Sequence, residues 1–250
     1  MPDPAGPVSL AGDVRAELAV LADPERAAGQ ARYFKTGPGQ YGEGDVFAGI
    51  PMPQLRRVVR AHPELALTDV VDLLVDPIHE HRMLAVLVLA DQYQRAERVG
   101  DSSRCAAAVQ TYLAHLSFVN NWDLVDASAE FIVGPWWRSQ GPSGRRARLS
   151  LARSTSLWER RIAVLSTFHD IKVGDSGPAL EVCALLLDDG EDLIHKATGW
   201  MLREVGKRVD RADLLAFLDQ HAAVMPRTML RYAIEHLPPG ARDGYLATGR

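Results

Sequence analysis

Apolar residues recur along this chain every three to four positions, the spacing that gathers them on one face of an α-helix. The pattern predicts helices over roughly 8–22, 24–35, 53–62, 66–76, 79–95, 103–117, 121–134, 143–153, 156–170, 177–188, 191–208, 211–222 and 226–237. The clearest stripe lies in 79–95, where Met83, Leu84, Val86, Leu87, Leu89 and Ala90 are apolar. A second lies in 191–208, with Leu193, Ile194, Ala197, Trp200, Met201 and Val205. Short breaks rich in Pro, Gly, Asp and Ser separate the segments, among them Asp76-Pro77, Gly141-Pro142-Ser143-Gly144 and the run from Val173 to Pro178. No alternating run long enough for a strand is found.

Short helices joined by short breaks predict an all-α chain of antiparallel helix pairs. The pairs 64–95, 103–134, 143–170, 177–208 and 211–237 have similar lengths without a strict sequence repeat. They fit a degenerate HEAT-like helical-repeat solenoid, a fold that curves and offers a concave face. An irregular helical bundle is the competing architecture. One domain over 1–250 is expected, with short flexible termini at about 1–7 and 238–250. The one long irregular segment, Thr36 to Asp45, holds four glycines and a proline. It reads as a surface loop lying along a ligand. No Gly-Lys-Ser/Thr follows it, which argues against a nucleotide-binding loop.

Composition narrows the class. The 250 residues are 47% hydrophobic and 24% charged, enough apolar material for a sizeable core. Cys105 and Cys183 sit among apolar neighbours, as small core residues of a reducing compartment do. Two cysteines without clustered histidines make no zinc site, and no metal or cofactor is expected. Met1 to Pro7 lacks the basic start and apolar core of a signal peptide, and no apolar run reaches membrane-spanning length. The expectation is a cytoplasmic protein without membrane contact.

The net charge of −4 argues at first against nucleic acid, but its distribution is uneven. Residues 1–137 carry 11 Lys and Arg against 18 Asp and Glu, and residues 138–250 carry 17 against 14. Within 138–172 the cations Arg138, Arg145, Arg146, Arg148, Arg153, Arg160, Arg161 and Lys172 face only Glu159 and Asp170. Such a local excess suits a phosphate backbone, and also fits a solvated helix surface.

The candidate chemistry centres on Asn121-Trp122-Asp123-Leu124-Val125-Asp126. Trp122 and Asp126, four positions apart, share a helix face one turn apart. An indole beside a carboxylate can hold a sugar ring on one and a developing positive charge on the other. Trp122 as a core anchor and Asp126 as a surface acid or arginine partner are the plainer readings. Asp123 reads as a cap residue, not a catalyst: a first-turn carboxylate that complements the helix dipole. Trp136, Trp137 and Trp158 read as packing residues, and Arg203 with Glu204 as a local polar contact. The histidines form no metal cluster and receive no role.

Five segments carry a resemblance: Ala31-Arg32-Tyr33-Phe34-Lys35 with the glycine-rich loop, Ala48 to Arg56, Asn121 to Asp126, Leu157-Trp158-Glu159-Arg160-Arg161-Ile162-Ala163, and His195-Lys196-Ala197-Thr198-Gly199-Trp200-Met201-Leu202-Arg203-Glu204. In this order they resemble the AlkD-type DNA alkylation repair glycosylases, from about residue 10 to 237. The resemblance implies a HEAT-like solenoid whose concave face holds duplex DNA and which excises purines alkylated at N3 or N7. It implies Asp126 as the catalytic carboxylate, with Trp122 and Trp200 flanking the sugar of the damaged nucleotide. Arg161 matches the arginine on the neighbouring backbone, and Tyr33 an aromatic near the complementary strand. Arg160 and Lys196, within the same motifs, are expected to contact DNA. Pro51 stands where that family usually has a polar residue, which removes a side-chain contact to the opposite strand. No base pocket is implied, because that family works from the backbone side. The expected partner is duplex DNA containing alkylated bases, bound by a monomer. A non-catalytic module binding distorted or branched DNA, and a protein-interaction scaffold, remain the alternatives.

Overall fold

The structure is a computed structural model that describes residues 10–248. The described part is all-α, without a named strand; only an isolated bridge joins Val46 to Ile78. The expected 1–7 tail lies outside the described residues. Contacts divide the chain into two compact units, Met1–Ser128 and Ala129–Arg250.

The first unit runs α1 (Ala11–Val20), α2 (Pro24–Tyr33), α3 (Met52–Ala61), α4 (Leu67–Leu74), α5 (His79–Arg98), α6 (Ser102–Ala114), a one-turn 3-10 helix (Leu116–Phe118) and α7 (Trp122–Asp126). Its centre is α5, packed against α3, α4, α6 and α7. Met83, Leu84, Val86, Val88 and Leu89 bury on every side of this helix, so its apolar stripe is broad rather than narrow. More surprising is its first turn. His79, Glu80, His81 and Arg82 are all buried.

The second unit runs α8 (Val133–Ser139), α9 (Pro142–Ala152), α10 (Leu157–Lys172), α11 (Gly177–Leu185), α12 (Asp192–Arg208), α13 (Arg211–His221), α14 (Arg227–Ala233) and α15 (Pro239–Thr248). Here α10 packs on α8, α9, α11 and α12, while α12 packs on α13 and α14. Gly199 permits the close approach of α12 to α14: a Cβ there would stand 2.5 Å from the Met229 carbonyl oxygen.

Two departures from the periodicity have local causes. The single helix expected over 121–134 is two, α7 and α8. The Ser128 hydroxyl donates to the Leu124 carbonyl at 2.6 Å, and its amide takes the tighter i−3 bond to Val125. Pro135 then has no amide for the residue one turn back, and its ring crowds that carbonyl. It fits in the first turn of α8 instead. The second departure is α15, which forms beyond 237, where the last expected helix ends.

Candidate active site

α7 has only five residues, and its sequence sorts them cleanly. Leu124 and Val125 point inward and are fully buried, while Trp122 and Asp126 stand half-buried on the opposite side. The cap is Asn121, not Asp123. Its Oδ1 accepts the Trp122 amide at 2.8 Å, and its Nδ2 donates to Asp45 at 3.0 Å. Asp123, one residue into the helix, accepts the Leu124 amide at 2.9 Å.

Trp122 ends an aromatic stack. Its ring lies on Phe34 at 5.1 Å and 12°, Phe34 lies on Phe47 at 4.9 Å, and Phe47 lies on the His79 imidazole at 4.5 Å. Tyr33 meets Trp122 edge-on at 6.0 Å and is 67% exposed, so it presents a free ring edge beside the indole. The structure therefore brings Tyr33, Trp122 and Asp126 together in the first unit.

Below the stack lies a buried polar network. His79 Nδ1 bonds Asp45 at 3.0 Å and Nε2 bonds Asp123 at 2.9 Å. Arg82 also binds Asp45. Burial by itself pushes the imidazole toward neutrality, but the hydrogen bonds and charges of Asp123 and Asp45 win and raise its pKa from 6.5 to about 9. Asp45 is likewise desolvated, yet His79, Arg82 and Asn121 hold its carboxyl below its ordinary value. Glu80 performs a separate task. Its carboxylate accepts three successive amides, Ala48 at 2.8 Å, Gly49 at 2.8 Å and Ile50 at 3.1 Å. Pro51 follows as the extended residue entering α3. Gly49 has φ +81°, and a Cβ there would lie 2.1 Å from the Asp23 carbonyl oxygen. The glycine-rich segment is thus pinned inward at its end by Asp45, and Glu80 pins the Ala48–Ile50 stretch that follows.

In the second unit, Arg161 is buried in α10 and donates to the Leu193 carbonyl at 2.6 Å, where α12 begins. Lys196 pairs with Asp192 on α12 at 2.8 Å. Trp200, one turn beyond Lys196, is half-buried and tilted against Phe168 at 5.7 Å. Arg160 has four of its N–H groups engaged internally: two on Asp189, at 2.6 and 3.3 Å, and two on the Ser154 and Thr155 carbonyls, both at 3.0 Å. Its guanidinium closes the loop between α9 and α10.

Much of the basic run over 138–172 is spent in the same way. Arg138 pairs with Asp170 and Asp175, Arg145 with Glu181, Arg148 with Asp170, and Lys172 with Glu130. Three of these partners, Asp175, Glu181 and Glu130, lie outside the basic window, as does the Asp189 partner of Arg160, which is why a local charge count overstates the cationic surface. Trp137 packs against the Arg148 guanidinium at 5.8 Å, a packing role as expected. Among the described residues no group of three or more His, Cys, Asp and Glu is placed to hold a metal ion, and no helix is long and apolar enough to cross a membrane.

The family model for the DNA alkylation repair enzyme matches residues 14–237. The chain belongs to this family. Among solved structures, this member of the family resembles a protein described as a predicted DNA alkylation repair enzyme from Enterococcus faecalis. The TM-score is 0.68 and the identity 20%, covering 87% of this chain and 97% of that one. At that identity the likeness establishes the helix-pair fold. No curated protein matches the sequence significantly.

Proposed function

We propose that this DNA alkylation repair family member is a monofunctional glycosylase that hydrolyses the N-glycosidic bond of N3- or N7-alkylated purines in duplex DNA. The observation that carries the reading is the pairing of Trp122 and Asp126 on one side of α7, both open to solvent in part.

The lesion defines what the protein must supply. An N3- or N7-alkylated purine is cationic, so it departs as a neutral base and needs no general acid. The barrier lies in the positive charge that grows on the deoxyribose, as in glycoside cleavage generally. The Asp126 carboxylate beside C1′ stabilises that charge and orients the attacking water on the same face. Trp122 lies against the sugar and offers the negative face of its ring to the same cation. Tyr33, exposed beside it, is assigned to the complementary strand on the family resemblance. Trp200, Arg161 and Lys196 are proposed for the same substrate on the family resemblance. The proposed role of Arg161 is to hold the phosphate, by charge-assisted hydrogen bonds. Selectivity then comes from the charge and lability of the damaged base, and bulky adducts are tolerated.

Duplex DNA carrying 7-methylguanine tests the reading. The expected products are free 7-methylguanine and an abasic site with an intact strand. DNA binding without release of base would instead make the protein a recognition module.

A further inference from the structure

We propose that His79, held as an imidazolium between Asp45 and Asp123, is the positioning residue that fixes α7 and so aims Trp122 and Asp126. The inference rests on the reading of α7 as the part that meets the sugar.

A five-residue helix is far below the length of about 12–15 residues at which a helix begins to hold its own shape in water. Its orientation must come from what it touches, and His79 touches it by two routes. Nε2 bonds Asp123 in the first turn of α7 at 2.9 Å, and the ring face supports the Phe47–Phe34–Trp122 stack from 4.5 Å. Both ring nitrogens face carboxylate oxygens. An ionised carboxylate only accepts, so both nitrogens must carry protons and the ring must be charged. The groups facing it are Asp45 and Asp123, with Arg82 behind Asp45 and the Asn121 amide beside it. Two anions then meet two cations in a space where His79 is 3% exposed. Loss of the proton leaves an uncompensated buried charge and turns one ring lone pair toward a carboxylate. The strain falls on the contacts that seat α7.

The test is NMR of the full-length chain across alkaline pH. Ring nitrogen signals report His79, and the Trp122 indole N–H peak, assigned with Trp122→Phe, reports α7. The expected result is a doubly protonated ring at neutral pH and a Trp122 peak that moves with the same midpoint, near 9. Asp123→Asn keeps an acceptor but removes a charge, and shifts both midpoints down together by about one pH unit. In single-turnover excision at neutral pH, His79→Gln slows base release about ten-fold or more while duplex affinity stays within about three-fold. A neutral ring at neutral pH, or a Trp122 peak indifferent to the ring's titration, overturns the proposal. If His79→Gln does not fold, the titrations of the wild type and Asp123→Asn still decide. If the wild type releases no base, the glycosylase reading fails while the linked titration still decides whether His79 positions α7.

Discussion

Asp126 and Trp122 sit one helical turn apart, and everything beneath them is built to keep that turn in place. The charge state of His79 gives this a thermodynamic signature. Its folded pKa is raised, so its contribution to stability is complete below the unfolded value of 6.5 and disappears as pH rises through about 9. The urea midpoint of the wild type should therefore decline across that window. His79→Gln should lose this component of the decline and be less stable at neutral pH. A midpoint that stays flat in the wild type would contradict the assignment of charge. The Trp122–Asp126 pair was legible in the sequence because both residues lie on one short helix, where spacing alone decides facing. His79 was not. Its partners Asp45 and Asp123 are 34 and 44 residues away, and a lone histidine at a helix start carries no periodic signal.

Among the elements, the sharpest case is the first turn of α5, which organises the segment entering α3. Glu80 collects the amides of Ala48, Gly49 and Ile50. Glu80→Gln would turn an NH2 group toward an amide donor and lose charge-assisted bonds, a destabilisation of about 2–3 kcal/mol. Urea unfolding of the variant measures it, and an unchanged midpoint would show that those amides find other acceptors. The helices themselves were legible as periods of 3.6, since most bury one continuous stripe. The division of 121–134 into α7 and α8 was not, because it depends on a serine hydroxyl capturing a carbonyl and on where Pro135 falls in the turn. α15 escaped for the opposite reason. It buries none of its residues among those described, so no stripe announces it.

For the molecule as a whole, charge must be read after folding, not before. Net charge is −4, and much of the 138–172 cationic run is neutralised by acids such as Glu130, Asp175, Glu181 and Asp189. On the proposed function, DNA affinity would come from the cations left over and would still carry the mark of counterion release. Raising salt from about 50 to about 200 mM should weaken duplex binding at least about 100-fold, with a linear log–log dependence. Affinity indifferent to salt would point to a protein partner. The most direct measurement of the central claim is the single-turnover rate of 7-methylguanine release by Asp126→Asn, beside its duplex affinity. The rate is expected to fall at least about 100-fold, with binding unchanged within a few-fold. Excision by the variant at the wild-type rate would contradict that claim.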